Sequence, residues 1–439
     1  MTTKRLLIAI LSTIALADFG LGLNTVVLPL YAKSLGASII TIGLIIASFG
    51  LARIFINIPV SILSKRRKSQ YIHIGMLFIF MGAVGYLLST AYYQLFFFRF
   101  LEGFGSGIIN TSSMIILTKR LYKEEKRAKV LSRYMIARRL SMGSAPFLGA
   151  VVAYEFTDKA AFLLYTAIMA AGVIIAFYNK ASLNNVSNTD DGSMPEREKA
   201  VENDAGGRAI DAAVYGGDDE NGSAGILNAN IKGADKTASK NKSSLGKYSA
   251  LLFNFNFIAL CFLTFSFFFS RIGSRRELVP LVGYGVIKLN KADIGLLVSI
   301  SAVIGVILTY YSDRVINAMG VKKSIITSFV ITAAGVVSFI IFNNIVAFAL
   351  SVVLLSAGGG FSGPARNLYL MDSVDKTHYD EAVGIYRTLS DLGFVLGPVA
   401  IGAAFDYFNY MSAYGLVVFI IILATVLFGF FAKSFAVAV

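Results

Sequence analysis

The chain has 439 residues, of which 56% are hydrophobic and 15% are charged, and its mean hydropathy is +0.68. A water-soluble domain is about one quarter charged, so this composition excludes an ordinary soluble protein and indicates a chain that is mostly surrounded by lipid. The net charge of +14 does not indicate a nucleic-acid partner, because the basic residues cluster at particular connections between apolar segments, as in membrane proteins.

Twelve predominantly apolar segments follow one another, and each is long enough to cross a bilayer as a helix, which takes about 20 residues. Basic clusters follow the second, fourth, eighth and last segments, whereas the intervening connections carry few lysines or arginines. This alternation predicts an all-α integral membrane protein that crosses the plasma membrane many times, with both termini in the cytoplasm. The predicted segments are 6–31, 39–63, 71–91, 94–118, 129–154, 161–179, 250–275, 292–312, 323–342, 345–371, 381–405 and 411–432.

Asp18 lies near the middle of the first segment, about 18 Å from its start at 1.5 Å per helical residue. A charge at that depth costs about 2.5–3.5 kcal/mol on insertion, so such residues are rare and usually face a pathway or a partner. Two interpretations remain open. Asp18 either exchanges a proton or cation with the two sides of the membrane, or it is permanently paired with an arginine from another helix. Asn24 offers a polar contact on the same segment.

The fourth segment contains RFLEGFGSG at residues 99–107. Arg99 and Glu102 are three residues apart and therefore lie on one helix face, where they can neutralise each other. Small residues allow membrane helices to approach closely, which accounts for the three glycines. The pair is interpreted either as a proton-sensitive group in the wall of a cavity or as a static pair beside a packing face.

A polar segment at residues 181–247 separates six apolar segments from six others, and its Asn, Gly, Ser and Asp content is typical of a disordered linker. The predicted domains are therefore a six-helix bundle at 1–180, the linker, and a second six-helix bundle at 248–439. Gly43 and Pro146 recur as Gly295 and Pro398. The two glycines are separated by the same number of residues as the two prolines, and this predicts that the halves arose by duplication. An even number of spans per unit makes the two repeats parallel.

Charges in the second half also fall within apolar segments. Arg387 and Asp391 are four residues apart, and Asp391 corresponds to Arg139 in the repeat, so these opposite charges are candidates to meet between the halves. Arg271 lies deep in the seventh segment and is a candidate to bind an anionic group. Residues 275–277 are predicted at the outer end of that segment, where their side chains would snorkel to the interface.

These motifs resemble those of the major facilitator superfamily over essentially the whole chain. RFLEGFGSG is similar to the fourth-helix motif of proton-coupled members. MGSAPFLG resembles the Gly-Pro antiporter motif of the fifth helix, with Ala145 in place of the usual Gly before Pro146. YSDRVINAMGVKK, which contains Asp313 and Arg314, resembles the cytoplasmic loop motif. The corresponding PVSILSKRRKS of the first half keeps the basic cluster but lacks the expected Asp.

The resemblance implies the major facilitator fold and secondary active transport of a small organic molecule by alternating access. The first expectation is proton-coupled efflux, and the second is proton-linked uptake of a small organic anion. A non-transporting receptor or scaffold on the same fold, served by the linker, is the alternative from another class. Asp18 and Glu102 are the proton-coupling candidates. The cavity candidates are Asn24, Arg53, Arg99, Arg271 and Arg366, and the gating or interdomain candidates are Arg139, Pro146, Asp313, Arg314, Arg387, Asp391 and Pro398.

The chain is not expected to be an enzyme or to hold a metal or another cofactor. It has one Cys and two His, and no nucleophile–base set or metal-ligand set is visible in its sequence. The expected partners are a small-molecule substrate, protons and the lipid bilayer, without nucleic acid. The expected oligomeric state is a monomer.

Overall fold

The computed structural model describes residues 3–63, 68–121, 127–179, 254–374 and 379–434, so the predicted linker lies outside the described residues. The first half consists of α1 (Thr3–Ser34), α2 (Ile39–Leu63), α3 (Lys68–Leu88), α4 (Tyr92–Leu121), α5 (Arg127–Glu155) and α6 (Asp158–Tyr178). The second half consists of α7 (Phe255–Gly273), a π-helical segment (Ser274–Leu278), α8 (Val279–Gly285), α9 (Lys291–Tyr310), α10 (Ser312–Met319), α11 (Val321–Phe342), α12 (Ile345–Ser373), α13 (Tyr379–Tyr407) and α14 (Tyr410–Phe431).

Within the described ranges, ten helical spans are long and apolar enough to cross a membrane, and α7, the π segment and α8 form one of them. The two remaining long helices, α4 and α5, carry the charges of the fourth and fifth predicted segments and pack against α2, α3 and α1 of the same half. With them the described chain has twelve spans. The prediction of an all-α membrane protein with six spans in each half is confirmed.

Short loops join the helices at one side of the bundle, which we call the short-loop side: residues 35–38, 89–91, 156–157, 286–290, 343–344 and 408–409. Polar caps begin several helices there. Thr157, Asn290, Asn344 and Asn409 each accept a hydrogen bond from a backbone N–H in the first turn of α6, α9, α12 and α14. These caps satisfy donors that a helix cannot pair internally, which explains why the apolar segments begin where they do.

The two halves meet along two seams that are related by the sequence repeat. At the α2–α13 seam, a β-carbon on Gly43 would lie 2.5 Å from the Pro398 carbonyl oxygen. At the α5–α9 seam, a β-carbon on Gly295 would lie 2.7 Å from the Pro146 carbonyl oxygen. Each repeated glycine therefore contacts the repeated proline of the other half. The glycines are required because the two backbones approach too closely for any side chain.

Replacing Gly43 with Ala is expected to lower the free energy of unfolding by about 1–3 kcal/mol, because the new methyl group overlaps the Pro398 backbone. Gly415→Ala is the matched control, since nothing lies within 4 Å of the position where its β-carbon would be. That change should raise stability by about 0.5–1 kcal/mol, as Ala does in a helix interior. Unfolding in detergent measures both; equal effects of the two substitutions would contradict the assigned seam.

The seventh span differs from its prediction, which ended at residue 275. The helix continues through the π segment to Gly285. Pro280 has no N–H and cannot make the regular helical hydrogen bond to the residue 276 carbonyl. Just before it, the Val279 N–H donates to the Ser274 carbonyl, one residue further back than in an α-helix, which makes this turn a π turn. The snorkelling prediction for residues 275–277 is therefore wrong for two of them: Arg276 is 5% exposed and Glu277 is 0% exposed.

Polar contacts also join the halves at the short-loop side. Lys291 Nζ lies 2.5 Å from Asp158 Oδ1, which links α9 to α6. The backbone N–H of Ile40 donates to Asp406 Oδ2 at 2.7 Å, which links α2 to α13. The halves are thus in contact at the short-loop side, and the space between them lies deeper in the bundle.

Candidate functional site

A cavity of about 790 Å³, counting the space at its mouth, lies between the halves and is lined by residues of α1, α5, α7, the π segment, α9 and α12. Its charged lining residues are Asp18, Arg138, Arg139, Arg271, Arg275 and Arg276. Small residues such as Gly143, Gly305, Gly359 and Gly360 form other parts of the wall and leave the space open. Five arginines and one carboxylate make this cavity strongly positive.

Asp18 is paired with Arg138 of α5. Arg138 Nε donates to Asp18 Oδ2 at 2.6 Å, and its Nη2 donates to Oδ1 at 3.2 Å. Both side chains are almost fully buried. A two-point pair between a guanidinium and a carboxylate is among the strongest charged hydrogen-bonding arrangements. Of the two interpretations of Asp18, this geometry matches the pair with an arginine from another helix.

Arg271 is the cavity arginine with the fewest contacts. Among the described residues it makes no hydrogen bond and no ion pair, and its guanidinium carbon lies 5.4 Å from the centre of the Phe267 ring. The ring face stabilises the cation without using its N–H donors. Those donors are therefore available to an anion in the cavity.

The other cavity arginines contact protein groups. Arg139 Nη1 donates to Thr309 Oγ1 at 2.8 Å, which links α5 to α9 across the seam. Arg276 lies over the rings of Phe49 and Phe394, with its guanidinium carbon 5.8 and 5.7 Å from their centres. Arg276 is thus held between aromatic residues of the two halves.

Glu102 is the acceptor at the centre of a buried cluster inside the first half. It accepts hydrogen bonds from Tyr86 Oη at 2.7 Å, from Tyr165 Oη at 2.5 Å, from Asn24 Nδ2 at 3.3 Å, and from Arg99 Nη1. The side chain of Glu102 is 0% exposed. Asn24 and Arg99 were predicted to line the cavity; they lie instead in this cluster, which we call the Glu102 cluster, and do not line the cavity described above.

A second group of charges lies at the α2–α13 seam. The Asp391 carboxylate interacts electrostatically with Arg53 of α2 and with Arg387 of its own helix. Arg139, the predicted partner of Asp391, lies at the other seam. Arg139 and Asp391 occupy equivalent positions in the two repeats, so they lie at different seams. At its own seam, each interacts with a residue of the opposite half: Arg139 with Thr309 and Asp391 with Arg53. Arg53, predicted as a cavity residue, belongs to this seam.

The remaining predicted residues are distributed between the core, the surface and the seams. Arg366 is fully buried in α12, with its guanidinium carbon 3.9 Å from the centre of the Phe267 ring. Asp313 and Arg314 are exposed on α10, where Arg314 lies 5.1 Å from the centre of the Tyr311 ring. Pro146 and Pro398 lie at the two seams described above. Among the described residues, no group of three or more His, Cys, Asp or Glu side chains is placed to hold a metal ion.

Sequence reasoning did not select Arg138, Tyr86 or Tyr165 as site residues. Arg138 adjoins the selected Arg139 in the same apolar segment, and this intramembrane charge was itself a usable signal. The two tyrosines gave no such signal in the sequence, because tyrosine is common in apolar segments. Their hydrogen bonds to Glu102 span 16 and 63 residues of sequence, so no local pattern reveals them.

Known proteins are similar to this chain over most of its length. A family model described as Major Facilitator Superfamily matches residues 10–288 and again residues 260–435. An uncharacterized MFS-type transporter of Methanocaldococcus jannaschii is 20% identical over 400 residues, which cover 90% of each chain.

Solved structures of transporters share the fold. The nucleoside transporter NupG aligns with a TM-score of 0.70 at 13% identity over 98% of this chain and 100% of its own. A peptide transporter, POT, aligns with a TM-score of 0.71 at 14% identity, over 96% of this chain and 93% of its own. A bacterial homologue of the iron transporter ferroportin, in its inward-facing state, aligns with a TM-score of 0.67 at 13% identity and 98% coverage of both chains. At these identities the likeness concerns the fold alone.

Proposed function

The chain belongs to the Major Facilitator Superfamily, and from this premise we propose that it is a secondary active transporter whose substrate is a small organic anion. Family membership itself supports secondary transport of a small molecule by a multi-pass membrane protein. The charge class of the substrate and the coupling are our proposal. The residues of the cavity and the charge pattern along the chain support them.

The observation that carries the proposal is the positive cavity, and within it Arg271. Asp18 is engaged by Arg138 at two points, so the single lining carboxylate does not neutralise the other arginines. Arg271 lies on a ring face with its donors unused among the described residues. A carboxylate or phosphate group would provide the missing acceptor, because these groups match the planar donors of a guanidinium. A cationic substrate would be repelled by these arginines, and a neutral substrate would not compensate their charge.

Orientation follows from the charge pattern along the chain. We place the termini and the basic clusters in the cytoplasm of the cell, and the short-loop side outside the plasma membrane. The structure then represents a state that is closed to the outside by the contacts of Lys291 with Asp158 and of Ile40 with Asp406. Breaking these contacts would open the cavity to the outside. We take the transporting unit to be the monomer, because each chain contains both halves and the whole cavity.

We propose proton-linked uptake as the direction, since protons that enter with an anion compensate its charge. Efflux of an organic compound in exchange for protons, which the motif resemblance implied first, would use the same cavity. Proton movement separates the two. Uptake of the anion should acidify the interior of a liposome, whereas exchange should carry protons opposite to the substrate.

The test uses the purified protein and a panel of small carboxylates, organic phosphates, neutral compounds and amines. Anions should raise the thermal unfolding midpoint, and the ligand found in this way should be transported into liposomes. Arg271→Ala is expected to lower its affinity about 10–100-fold, the value of a hydrogen bond to a charged group. Lys159→Ala removes an exposed charge at the short-loop side and is the matched control, with an expected change under about twofold.

Two results would contradict the proposal. One is stabilisation of the protein by amines or neutral compounds while no anion has an effect. The other is an Arg271→Ala variant that binds and transports the anion as well as the unmodified chain does. The first result would exclude an anionic substrate, and the second would exclude Arg271 as the group that binds it.

A further inference from the structure

Glu277 is an acid that the proposed function does not use. It belongs to the π segment of the seventh span and is 0% exposed. Both carboxylate oxygens lack a hydrogen-bond partner among the described residues. It differs in this respect from Asp18 and Glu102, the two other acids that are buried in the described part of the chain, each of which accepts bonds from charged donors.

The carboxyl group lies in the seam between the halves. Its Oε1 is 3.1 Å from the place where a β-carbon on Gly43 of α2 would be, and 2.7 Å from that of Gly402 of α13. A β-carbon on Gly402 would also lie 2.8 Å from the Ile39 carbonyl oxygen. Glu277 is therefore enclosed by backbone of both halves, close to the contact between Ile40 and Asp406 that closes the short-loop side.

We propose that Glu277 is a proton-binding site that couples closure of the short-loop side to protonation. A carboxylate without a counter-charge or hydrogen bonds is strongly disfavoured in such a place, whereas the neutral acid is tolerated. The closed seam therefore holds the protonated form. When the halves separate at this side, water reaches the carboxyl group and the proton is released. This inference rests on the alternating access of the proposed function but not on the identity of the substrate.

The charged groups around Glu277 do not supply an alternative partner. From α13, Asp406 accepts a hydrogen bond from the Ile40 N–H, and as a second acid it offers Glu277 no counter-charge. From its own segment, Arg275 and Arg276 line the cavity, and Arg276 lies over the rings of Phe49 and Phe394.

Of the remaining elements at the π segment, α7 carries Arg271, which lines the cavity, and α8 has no charged residue. α1 carries Asp18, which is paired with Arg138, and Lys33, which is exposed at the short-loop end. In α2, the described charged side chain is Arg53, ten residues beyond Gly43 or about 15 Å along the helix. α14 has no charged residue, and its buried titratable side chain is Tyr414.

The occupant is a proton rather than a metal cation. Sodium and divalent ions require several oxygen ligands around them. The described residues place the Glu277 carboxyl group against glycine Cα atoms, and Asp406 is engaged by the Ile40 N–H. A single carboxyl group in an apolar seam can bind a proton covalently, but it cannot replace the hydration shell of a metal ion.

The test measures the distance between the halves at the short-loop side without any substrate. Spin labels are placed on Lys33→Cys of α1 and Tyr407→Cys of α13, both exposed, in a Cys261→Ala background that removes the single native cysteine. Pulsed electron paramagnetic resonance then gives the open and closed populations between pH 5 and pH 9. In the unmodified site, the ratio of open to closed protein should rise with pH, by up to about tenfold per unit for one proton.

Glu277→Gln, which mimics the protonated acid at equal volume, should remain closed at every pH. Glu277→Asp should keep a pH-dependent opening, and its elution on size exclusion verifies that the seam tolerates substitution. The proposal is overturned if Glu277→Gln opens with pH as the parent does. It is also overturned if Asp406→Asn alone abolishes the dependence, or if the opening follows sodium concentration at constant pH. None of these measurements requires anion transport, so a failure of the anion proposal is detected separately.

Discussion

Replacing Arg138 with Ala is expected to lower the free energy of unfolding by about 3–5 kcal/mol. The substitution leaves the Asp18 carboxylate buried without the guanidinium that now binds it at 2.6 and 3.2 Å. Removing one partner of a buried ion pair costs far more than the pair contributes, because an uncompensated charge remains in a medium of low dielectric constant. Reversible unfolding by a denaturing detergent in micelles, monitored by circular dichroism, measures the change.

The control is the ion pair of Lys291 with Asp158, which also joins two helices but is partly exposed to solvent. Lys291→Ala should cost about 0–1 kcal/mol, because water screens a pair at the surface. The double variant Asp18→Asn with Arg138→Gln should recover much of the stability lost in Arg138→Ala, since no buried charge is left. A loss below about 1 kcal/mol in Arg138→Ala would contradict the buried pair.

The same double variant tests the coupling role that the sequence indicated for Asp18. If the pair is permanent, a neutral amide pair keeps proton-linked transport at a measurable rate. If Asp18 carries the transported proton, transport in the double variant no longer responds to the pH gradient. The first result is expected, because the two-point bond occupies the carboxylate in the state described here.

Most of the fold was predictable because the bilayer imposes one length and one composition on every span. Helices of about 20 apolar residues were recognised in both halves, including α4 and α5 despite their charges. Gly43 and Gly295 are separated by the same number of residues as Pro146 and Pro398, and this predicted the duplication. The structure explains why both glycines and both prolines are present. Each glycine contacts the proline of the other repeat, so the same glycine–proline contact occurs once at each seam.

The end of the seventh span was not predictable in the same way. Arg275, Arg276 and Glu277 form a charged run before Pro280, and such a run normally marks a helix end. The helix continues because a π turn accommodates the proline and because aromatic rings of both halves cover Arg276. These are tertiary contacts, and no local pattern encodes them.

The candidate site was predictable only where its contacts are local. The spacing of Arg99 and Glu102 predicted their pair, which the structure contains. The partner of Asp18 lies 120 residues away, so sequence could specify the type of partner but not the residue. Arg138 and Arg139 are adjacent and therefore point about 100° apart on a helix of 3.6 residues per turn, which is why one reaches α1 and the other reaches α9.

Replacing Glu102 with Gln is expected to lower the free energy of unfolding by about 3–5 kcal/mol. The carboxylate accepts from four donors, among them the buried Arg99 guanidinium, which also lies 4.5 Å from the centre of the Phe49 ring. Gln has nearly the same shape, but it removes the charge that compensates Arg99 and turns an N–H donor toward groups that are donors themselves. Unfolding in micelles, as for Arg138→Ala, measures the loss.

Smaller changes to the same cluster decide whether Glu102 is a fixed anchor or a group that changes partners during transport. Tyr86→Phe and Tyr165→Phe each remove one donor and leave three, so each should cost about 0.5–1.5 kcal/mol if the bonds to Glu102 persist in every state. Asp293→Asn, at an exposed position on α9, should stay within about 0.5 kcal/mol. If Glu102 is a fixed anchor, these variants should show the stability losses given above, and their transport rate should fall only as far as the amount of folded protein falls. Stable Glu102→Gln protein that has lost proton-linked transport would instead identify Glu102 as the proton carrier, because only the charge of that one group would then limit the cycle.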